Sequence, residues 1–594
     1  MKRDFIIYPI ILLLSGFNSI ANSQESCTTL IHVAKTGSDQ PACGASGSPC
    51  LTINYAIQRA LLQGFHHVRV GIGTYNEVVV LKNGINLWGG FSVSWTQTSR
   101  STISGGLYLP DNEYIGVEAN NITGLTVLSD FNISSPDAQT AGKSTYGLHT
   151  VGSAGLQLQN CIVTAGSGAN GTNGLNGIDA SSVSAPAGSP GQNGEIFTGL
   201  CNDIRKDGGA GATNPLTVGG SSGGAGGQGG SADTKCQSFP LVSDYTARPG
   251  LNGSSASYYE INGVGYRGLG GGLCSPGNTG GSGKTLNGAG GAGASISGLL
   301  NGNYWRSTEG QPGTLGEHGT GGGGGGGSGG CDTGDDNTGS GGGGGGAGGA
   351  RAPEPGTGGQ SGGSSFGIFL LNSSIKLIDC NISGGTGGTG GKGGNGGLGQ
   401  PGGQGGPGGL NVYGGGEGGK GGNGGVSGAG GGGAGGSSYG IYGVNSTTSK
   451  KNAVIAQGLS GSGGDGGLVN YANGLAGQNG IASSNGGTVS ILDDNSLLVK
   501  NDSCFLTMIN ESLIAESKVK IYPNPFSEYT TIEFPNEANE SYDLHITDIS
   551  GNLVRIINRI TNAKIIFYRR EMKTGYYYIE IRGPRIYRGV LILI

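Results

Sequence analysis

Apolar and polar residues alternate with period two over short stretches along much of this chain. Leu156-Gln157-Leu158-Gln159 and Ile375-Lys376-Leu377-Ile378 are examples. That alternation predicts strands with one buried face. Leu51 to Leu61 instead carries apolar residues at helical spacing and stops at Gly64, which predicts a helix. Strand-like runs follow at His66–Val70, Val78–Leu81, Ile85–Trp88 with Gly89-Gly90-Phe91, and Gly124–Leu128. A leading helix before a series of short strands predicts a capped solenoid, the cap protecting the first open edge. Beyond 517 the pattern changes to longer strands with turns at Ser550-Gly551-Asn552 and Thr574-Gly575. These strands are expected at Val519–Tyr522, Thr530–Phe534, Tyr542–Asp548, Leu553–Asn558, Lys564–Tyr568, Tyr576–Ile581 and Val590–Ile594. Their spacing suggests an antiparallel sandwich.

Three segments repeat. They open at Ser144-Thr145-Tyr146-Gly147, Ser364-Ser365-Phe366-Gly367 and Ser437-Ser438-Tyr439-Gly440, and close at Cys161-Ile162, Cys380-Asn381-Ile382 and Ala453-Val454-Ile455. Each unit has the length of one solenoid coil, and stacking supplies the core that one coil lacks. Asn160, Asp379 and Asn452 fall at one turn and are expected to form a polar ladder. Tyr146, Phe366 and Tyr439 form an aromatic row, for which packing and a sugar-stacking platform are both open. Cys161 and Cys380 align as small buried residues.

Composition changes the picture between the repeats. Glycine makes up 135 of 594 residues, and charged residues only 12%, so the surface must be covered largely by uncharged residues. The net charge of −5 and the absence of a basic stripe argue against a nucleic-acid partner. Glycine-rich tracts span 167–363 and 384–436, each starting where a coil ends and finishing where the next begins. Both are therefore expected to leave the solenoid at one corner. The second tract has a period of three, as in Gly384-Gly385-Thr386 and Gly390-Gly391-Lys392. This predicts a bundle of polyglycine-II-like helices with Thr, Lys, Asn and Pro facing outward, the alternative being a flexible linker. Gly321–Gly330 and Gly341–Gly349 are nearly pure glycine, and Asp332–Asn337 between them reads as a solvated turn or a calcium loop.

The ends fix the expected compartment. Lys2 and Arg3, the apolar Phe5–Leu14 and the small Ala21-Asn22-Ser23 read as a signal peptide cleaved before Gln24. No later stretch is apolar enough to span a membrane. Ten cysteines suit an oxidising compartment; Cys43 and Cys50, around a short loop, are the disulfide candidates, with Cys27 competing. Ile521-Tyr522-Pro523-Asn524-Pro525-Phe526, Asp548-Ile549-Ser550-Gly551-Asn552-Leu553 and Gly575-Tyr576-Tyr577-Tyr578 resemble, in order and spacing, the C-terminal sorting domain of proteins exported by the type IX (Por) secretion system of Bacteroidetes. The resemblance implies recognition by that machinery through Tyr522, Pro523, Asn524, Pro525, Gly551, Gly575 and Tyr576. It also implies delivery to the cell surface or the medium. Many family members end in a basic residue, whereas this chain ends Leu591-Ile592-Leu593-Ile594. Cys43 to Ile53, Gly73-Thr74-Tyr75-Asn76-Glu77 and Leu87-Trp88-Gly89-Gly90-Phe91 resemble the opening coils of right-handed parallel β-helix proteins of the pectin-lyase-like superfamily. That superfamily includes lyases, hydrolases and non-catalytic adhesins.

The expected fold is all-β: a right-handed parallel β-helix with large glycine-rich insertions and a C-terminal Ig-like sandwich. The expected organisation is a signal peptide over 1–23, a cap and first coils over 24–166, an insertion over 167–363, a coil over 364–383, a Gly-Gly-X insertion over 384–436, last coils over 437–500, a linker over 501–516 and the sorting domain over 517–594. Lyase or hydrolase chemistry needs clustered carboxylates. The coils offer Glu77, Asp111 with Glu113, Asp130 and Asp379, plus His149 and the pair His66-His67. None forms a catalytic pattern, so the expectation is a non-enzymatic, cofactor-free surface protein with no assigned metal site. It would bind glycans or surfaces through its glycine-rich insertions. A carbohydrate-active β-helix and a passive surface spacer stand as alternatives.

Overall fold

The computed structural model describes residues 30–197, 204–217, 221–231, 247–332, 336–411, 413–470, 472–500, 519–536, 539–548, 552–584 and 586–594. The expected signal peptide, the 501–516 linker, Cys27 and Gly551 lie outside them. The chain divides into two compact units, one over Leu30–Val499 and one that includes the C-terminal residues from Lys500.

The first unit is built from three ladders of short parallel strands. Leu30–Val33, His67–Gly71, Asn86–Phe91, Thr126–Ser129, Leu156–Gln159 and Ser374–Ile378 pair in turn to make the first ladder. Thr74–Tyr75, Ser101–Ile103, Phe131–Ser134, Ile162–Thr164, Asn381–Ser383 and Val454–Ala456 make the second. Val79–Val80, Glu113–Asn120, Thr145–Val151 and Ser365–Leu371 make the third. The long strand Ser438–Lys451 pairs with the third ladder through its first half and with the first ladder through its second. Ala482–Asp493 then pairs along both halves of it. From His67 onward the chain visits the ladders in the order first, second, third, and repeats the circuit.

Period-two alternation sends one apolar side chain per strand inward, and in-register pairing stacks them into columns. Val68, Leu87, Leu128, Leu158 and Leu377 form one column, each fully buried. Val117, Leu148, Ile368 and Ile441 form a second, and Ile103, Ile133, Val163 and Ile382 a third. All of them belong to one continuous core. The corners between ladders require left-handed backbone, which Asn, Asp and Gly adopt at least cost. Asp130, Asn160, Asp379 and Asn452 take it between the first and second ladders, at φ of 65°, 46°, 53° and 51°. Asn452 Nδ2 donates to Asp379 Oδ1 at 3.1 Å, and Asn160 Nδ2 donates to Asp130 Oδ1.

Serine columns tie the coils together. Ser364 N donates to Ser144 Oγ at 3.0 Å, and Ser437 N donates to Ser364 Oγ at 3.1 Å. A helix over Ile53–Gln63 caps the first coil. Its free N-terminal N–H groups are met by carboxylates: Glu77 accepts from Ile53 N at 2.8 Å and Asn54 N at 3.0 Å, and Asp39 accepts from Leu51 N and Thr52 N. Gly64 ends the helix at φ 68°. A disulfide joins Cys43 to Cys50 in the loop before it.

Candidate functional site

Every long excursion from the ladders leaves after a strand of the second and returns at a strand of the third. The excursions run from Ile162–Thr164 to Ser365–Leu371, from Asn381–Ser383 to Ser438–Lys451, and from Val454–Ala456 to Ala482–Asp493. The last, over 457–481, is a glycine-rich departure inside what the sequence had suggested were simple final coils. The excursions begin by prolonging the second ladder: Ala165 N donates to Ser383 O at 3.0 Å and Gly384 N to Ala456 O at 3.2 Å. The pairing period then changes from two to three. Gly168, Gly171, Gly174 and Gly177 donate to the carbonyls of Thr386, Thr389, Lys392 and Asn395 at 2.7–2.9 Å.

The period follows from how one glycine-rich thread meets its neighbours. In 386–395 the first glycine of each triplet donates to 459–465, as Gly387 does to Leu459 O at 2.8 Å. The second donates to 357–363, as Gly388 does to Gly363 O at 2.9 Å. The third residue, Thr386, Thr389, Lys392 or Asn395, is exposed. A Cβ on Gly387 or Gly388 would lie 2.0 or 2.1 Å from a neighbouring carbonyl oxygen. Glycine is required here by close approach between backbones.

The pure-glycine tract 321–330 extends the same rule to a thread with no free face. Gly322, Gly325 and Ser328 donate to Gly346, Gly343 and Ser340; Gly323, Gly326 and Gly329 to Gly281, Asn278 and Ser275; Gly324, Gly327 and Gly330 to Ser254, Leu251 and Arg248. Its carbonyls accept in turn from Gly224 and Gly227, from Gly268 and Gly271, and from Gly416 and Gly419. All of 321–330 is buried. The thread over 310–319 is the opposite case: Gly310, Gly313, Gly316 and Gly319 are buried, and most residues between them are exposed. The number of glycines per triplet thus records how many sides of a thread are covered.

Threads with an open side present one N–H in three without a backbone acceptor. Asparagine and aspartate supply it: Thr389, Lys392, Asn395 and Leu398 N donate to the side-chain oxygens of Asn170, Asn173, Asn176 and Asp179 at 2.7–2.9 Å. The outer face shows Thr and Asn among exposed apolar residues such as Leu175, Leu398, Leu459 and Leu468, with few charges between them.

One part of the first excursion returns to the ladders. The hairpin of Gly298–Asn301 and Tyr304–Ser307 packs on the outward side of the third ladder. There Tyr146, Phe366 and Tyr439 stack at 5.4 and 5.9 Å, and His149, Phe369 and Tyr442 at 5.4 and 5.6 Å. Tyr304 stacks on His149 at 4.4 Å, and Trp305 meets Tyr442 edge-on at 5.1 Å. The aromatic row is thus buried packing. Burial, and then the Glu113 carboxylate, push the Tyr146 phenol above its ordinary range.

The carboxylates of this region are engaged. Fully buried Glu113 pairs with Lys143 at 2.7 Å and with Arg306 of the hairpin. Glu118 meets His149 Nδ1 at 2.9 Å, His149 Nε2 meets Asn303 O at 2.8 Å, and Asp111 accepts from Tyr304 O–H at 2.8 Å. They fasten the hairpin. His67 Nδ1 lies 3.3 Å from Trp88 Nε1, and His66 Nδ1 lies 3.3 Å from Gly84 O. Cys161 and Cys380 are buried free thiols, and burial raises Cys161. Cys274 and Cys331 are joined beside the acidic loop, whose residues 333–335 lie outside the described residues. Among the described residues, no three His, Cys, Asp or Glu side chains gather as metal ligands. No helix among them is long and apolar enough to cross a membrane.

The C-terminal residues form two antiparallel sheets, Lys520–Tyr522, Tyr529–Glu533 and Lys564–Tyr568 in one, Leu553–Ile560, Tyr542–Asp548, Gly575–Arg582 and Ile586–Leu593 in the other. Phe526, Leu544, Phe567, Ile579, Leu591 and Leu593 lie in their common core. Pro523 and Pro525 have no N–H to donate. Asn524 between them uses its side chain instead: Nδ2 donates to Val590 O at 2.7 Å and Oδ1 accepts from Ile592 N at 2.7 Å. Phe526 N then donates to Ile592 O, and Ile594 N to Phe526 O. This motif therefore holds the final strand. Tyr522 O–H donates to Glu533 at 2.8 Å, and Thr530 Oγ1 donates to Pro523 O at 2.6 Å. Gly575 opens a strand at φ 154°, with Tyr576 exposed after it and Tyr577 buried.

Residues 520–586 match the model of the secretion system C-terminal sorting domain. No curated protein matches the chain. The chain is therefore cargo of the type IX secretion system, directed to the cell surface or the medium, and its C-terminal module implies contact with that machinery.

Proposed function

We propose that this protein is a non-enzymatic adhesive or matrix protein of the bacterial surface. On this reading a right-handed parallel β-helix carries, at one corner, a bundle of polyglycine-II-like helices that contacts glycans or neighbouring surfaces. The observation that carries it is the shared exit point. All three glycine-rich excursions depart between the second and third ladders and hydrogen-bond to one another, so they form one body at one corner that displays their exposed residues together. Strand spacing within a sheet is about 4.8 Å, and close-packed glycine threads suit a similar spacing, so successive coils can feed successive threads. The right-handed sense follows the general preference of parallel crossovers.

A face that mixes Thr and Asn with exposed Leu and is poor in charge favours uncharged, hydroxyl-rich ligands over charged polymers. The test compares the full chain with Thr386→Glu/Thr389→Glu/Leu398→Glu, three exposed positions of one thread, on a glycan and cell-surface binding panel. Circular dichroism should be unchanged and binding at least tenfold weaker. Undiminished binding by this variant would remove the bundle face from the account.

A second reading, a saccharide-binding β-helix groove, is favoured by a polar cleft of about 400 Å³ lined by Gln97, Thr98, Ser99, Arg100, Asp130 and Asn160. Asp130 there already accepts from Ser129, Gln97 and Asn160. Such a cleft suits holding a sugar better than cleaving one.

A further inference from the structure

Two groups stand out among the cations of the C-terminal module. Arg582 and Arg588 both pair with Glu580, at 2.5 and 2.6 Å, and Lys564 pairs with Glu533 at 3.3 Å. A second group lines a groove of about 580 Å³ whose apolar part includes Val554 and Met572. Arg569 is committed within it, donating to Met572 O, Ile594 O and Thr574 Oγ1 at 2.8–3.0 Å. Arg555, Arg570 and Lys573 form no ion pair among the described residues. Arg555 donates to Tyr568 O and lies over the Phe567 ring at 5.1 Å. Its burial, and then the Arg570 charge beside it, hold its pKa below the usual guanidinium range. Of the two carboxylates lining the groove, Asp548 accepts from Asn552 N and Nδ2 at 2.9 and 3.1 Å. The lining thus sets the four cations Arg555, Arg569, Arg570 and Lys573 against the two carboxylates Asp548 and Glu571, a surplus of positive charge. Arg570 is also held at φ 51°, where glycine or asparagine would be less strained.

Charges of one sign left unneutralised around a partly apolar floor indicate a missing counterpart of the other sign. We infer that the groove of Arg555, Arg570 and Lys573 is a docking surface for an acidic polypeptide segment of the export machinery. The inference rests on the sorting-domain assignment of 520–586. The cations come from separate stretches of chain, 555 and 570–573, around Val554 and Met572. An extended segment carrying both carboxylates and apolar side chains covers charge and floor together. A single phosphate would leave the floor bare.

The test uses the full chain in a cell with a working type IX system. Arg570→Glu/Lys573→Glu is compared with Lys520→Glu/Arg559→Glu, which makes the same charge change outside the groove. The groove variant should lose at least tenfold in the exported fraction, and the control should export normally. Purified full chains are then titrated with a poly-glutamate peptide and with inorganic phosphate. The wild type should bind the peptide at least tenfold more tightly than Arg570→Ala/Lys573→Ala, a milder change that covers the case in which reversal disturbs folding. Normal export of the groove variant, equal loss in the control, or binding of phosphate in preference to the peptide would each overturn the inference. Deleting 520–586 separates the two levels. If that deletion leaves export intact, the sorting assignment itself fails. If it abolishes export while the groove variant is exported, only the groove is wrong.

Discussion

Gly324 and Thr389 show what a single residue decides in this molecule. A Cβ on Gly324 would stand 2.0 Å from Ala225 O, and the atoms around it are backbone that cannot rotate away. Gly324→Ala is expected to cost about 1–3 kcal/mol, the usual range for overpacking. Thr389 is exposed, and Thr389→Ala should stay within about 0.5 kcal/mol. Denaturant unfolding of both variants checks the pair, and equal effects would contradict the covered-side rule. Asn524 offers a sharper comparison, because its amide both donates and accepts across the final strand. Asn524→Ala should cost about 1–2 kcal/mol, the net worth of two hydrogen bonds. Asn524→Asp keeps the acceptor for Ile592 N and loses the donor to Val590 O. Thermal melting should place it below the wild type, and a wild-type melt would show that the donor is idle.

At the scale of elements, the hairpin of Gly298–Asn301 and Tyr304–Ser307 depends on buried charge as well as on rings. Glu113→Gln leaves Lys143 and Arg306 facing each other without their carboxylate. Breaking a buried pair costs more than an exposed one, but the cations here are partly solvated, so about 1–3 kcal/mol is expected. The readout is Trp305 emission, which should shift to the red at lower denaturant than the global transition. Coincident transitions would mean that the hairpin is not a separate latch. In the C-terminal module, hydrogen bonds from Arg582 and Arg588 hold the Glu580 carboxyl below the usual carboxylate range. The folded form thus binds that proton less readily than the unfolded chain. The stabilisation is complete above the unfolded value of about 4.3 and fades as pH falls through the lower folded value. Glu580→Gln should flatten that acid limb in melts of the full chain followed at this module, and an unaltered limb would contradict the assignment.

The same elements show how far the sequence could be read. Period-two runs yielded the inward columns, and the recurring Asn160, Asp379 and Asn452 yielded one shared turn, because both signals are local and repeat once per coil; the left-handed backbone of that turn was not foreseen. The helix expected over 51–61 forms at Ile53–Gln63, since its caps lie at Thr52 and Gly64. The hairpin was not foreseen. Its turn at Gly302-Asn303 is a recognisable two-residue loop, but its partners, Tyr146 and His149, lie more than 150 residues earlier. For the same reason His149 looked solitary: Glu118 reaches it from the adjacent coil, 31 residues back. Within 520–586 the sorting motif was legible as a family likeness. What Asn524 does between its prolines was not, because the acceptor at Val590 belongs to another strand.

At the scale of the whole molecule, the first unit joins two ways of satisfying a backbone. The ladders pair each strand with the strands above and below it in the stack and bury apolar columns from alternate side chains. The glycine bundle pairs residues on three sides and has almost no apolar core. With charged residues at only 12% and glycine at 135 of 594, the chain relies on backbone hydrogen bonds where most proteins rely on side-chain burial. Ordering glycine costs more conformational entropy than ordering any other residue, so the bundle must form cooperatively or not at all. Amide hydrogen exchange across 321–330 tests this most directly, because each N–H from Gly322 to Gly330 donates to a backbone carbonyl of another segment. The account predicts protection comparable to that of the Thr145–Val151 and Ser365–Leu371 strands. Exchange at the rate of an unstructured glycine linker would contradict the bundle, and with it the single binding face proposed for this protein.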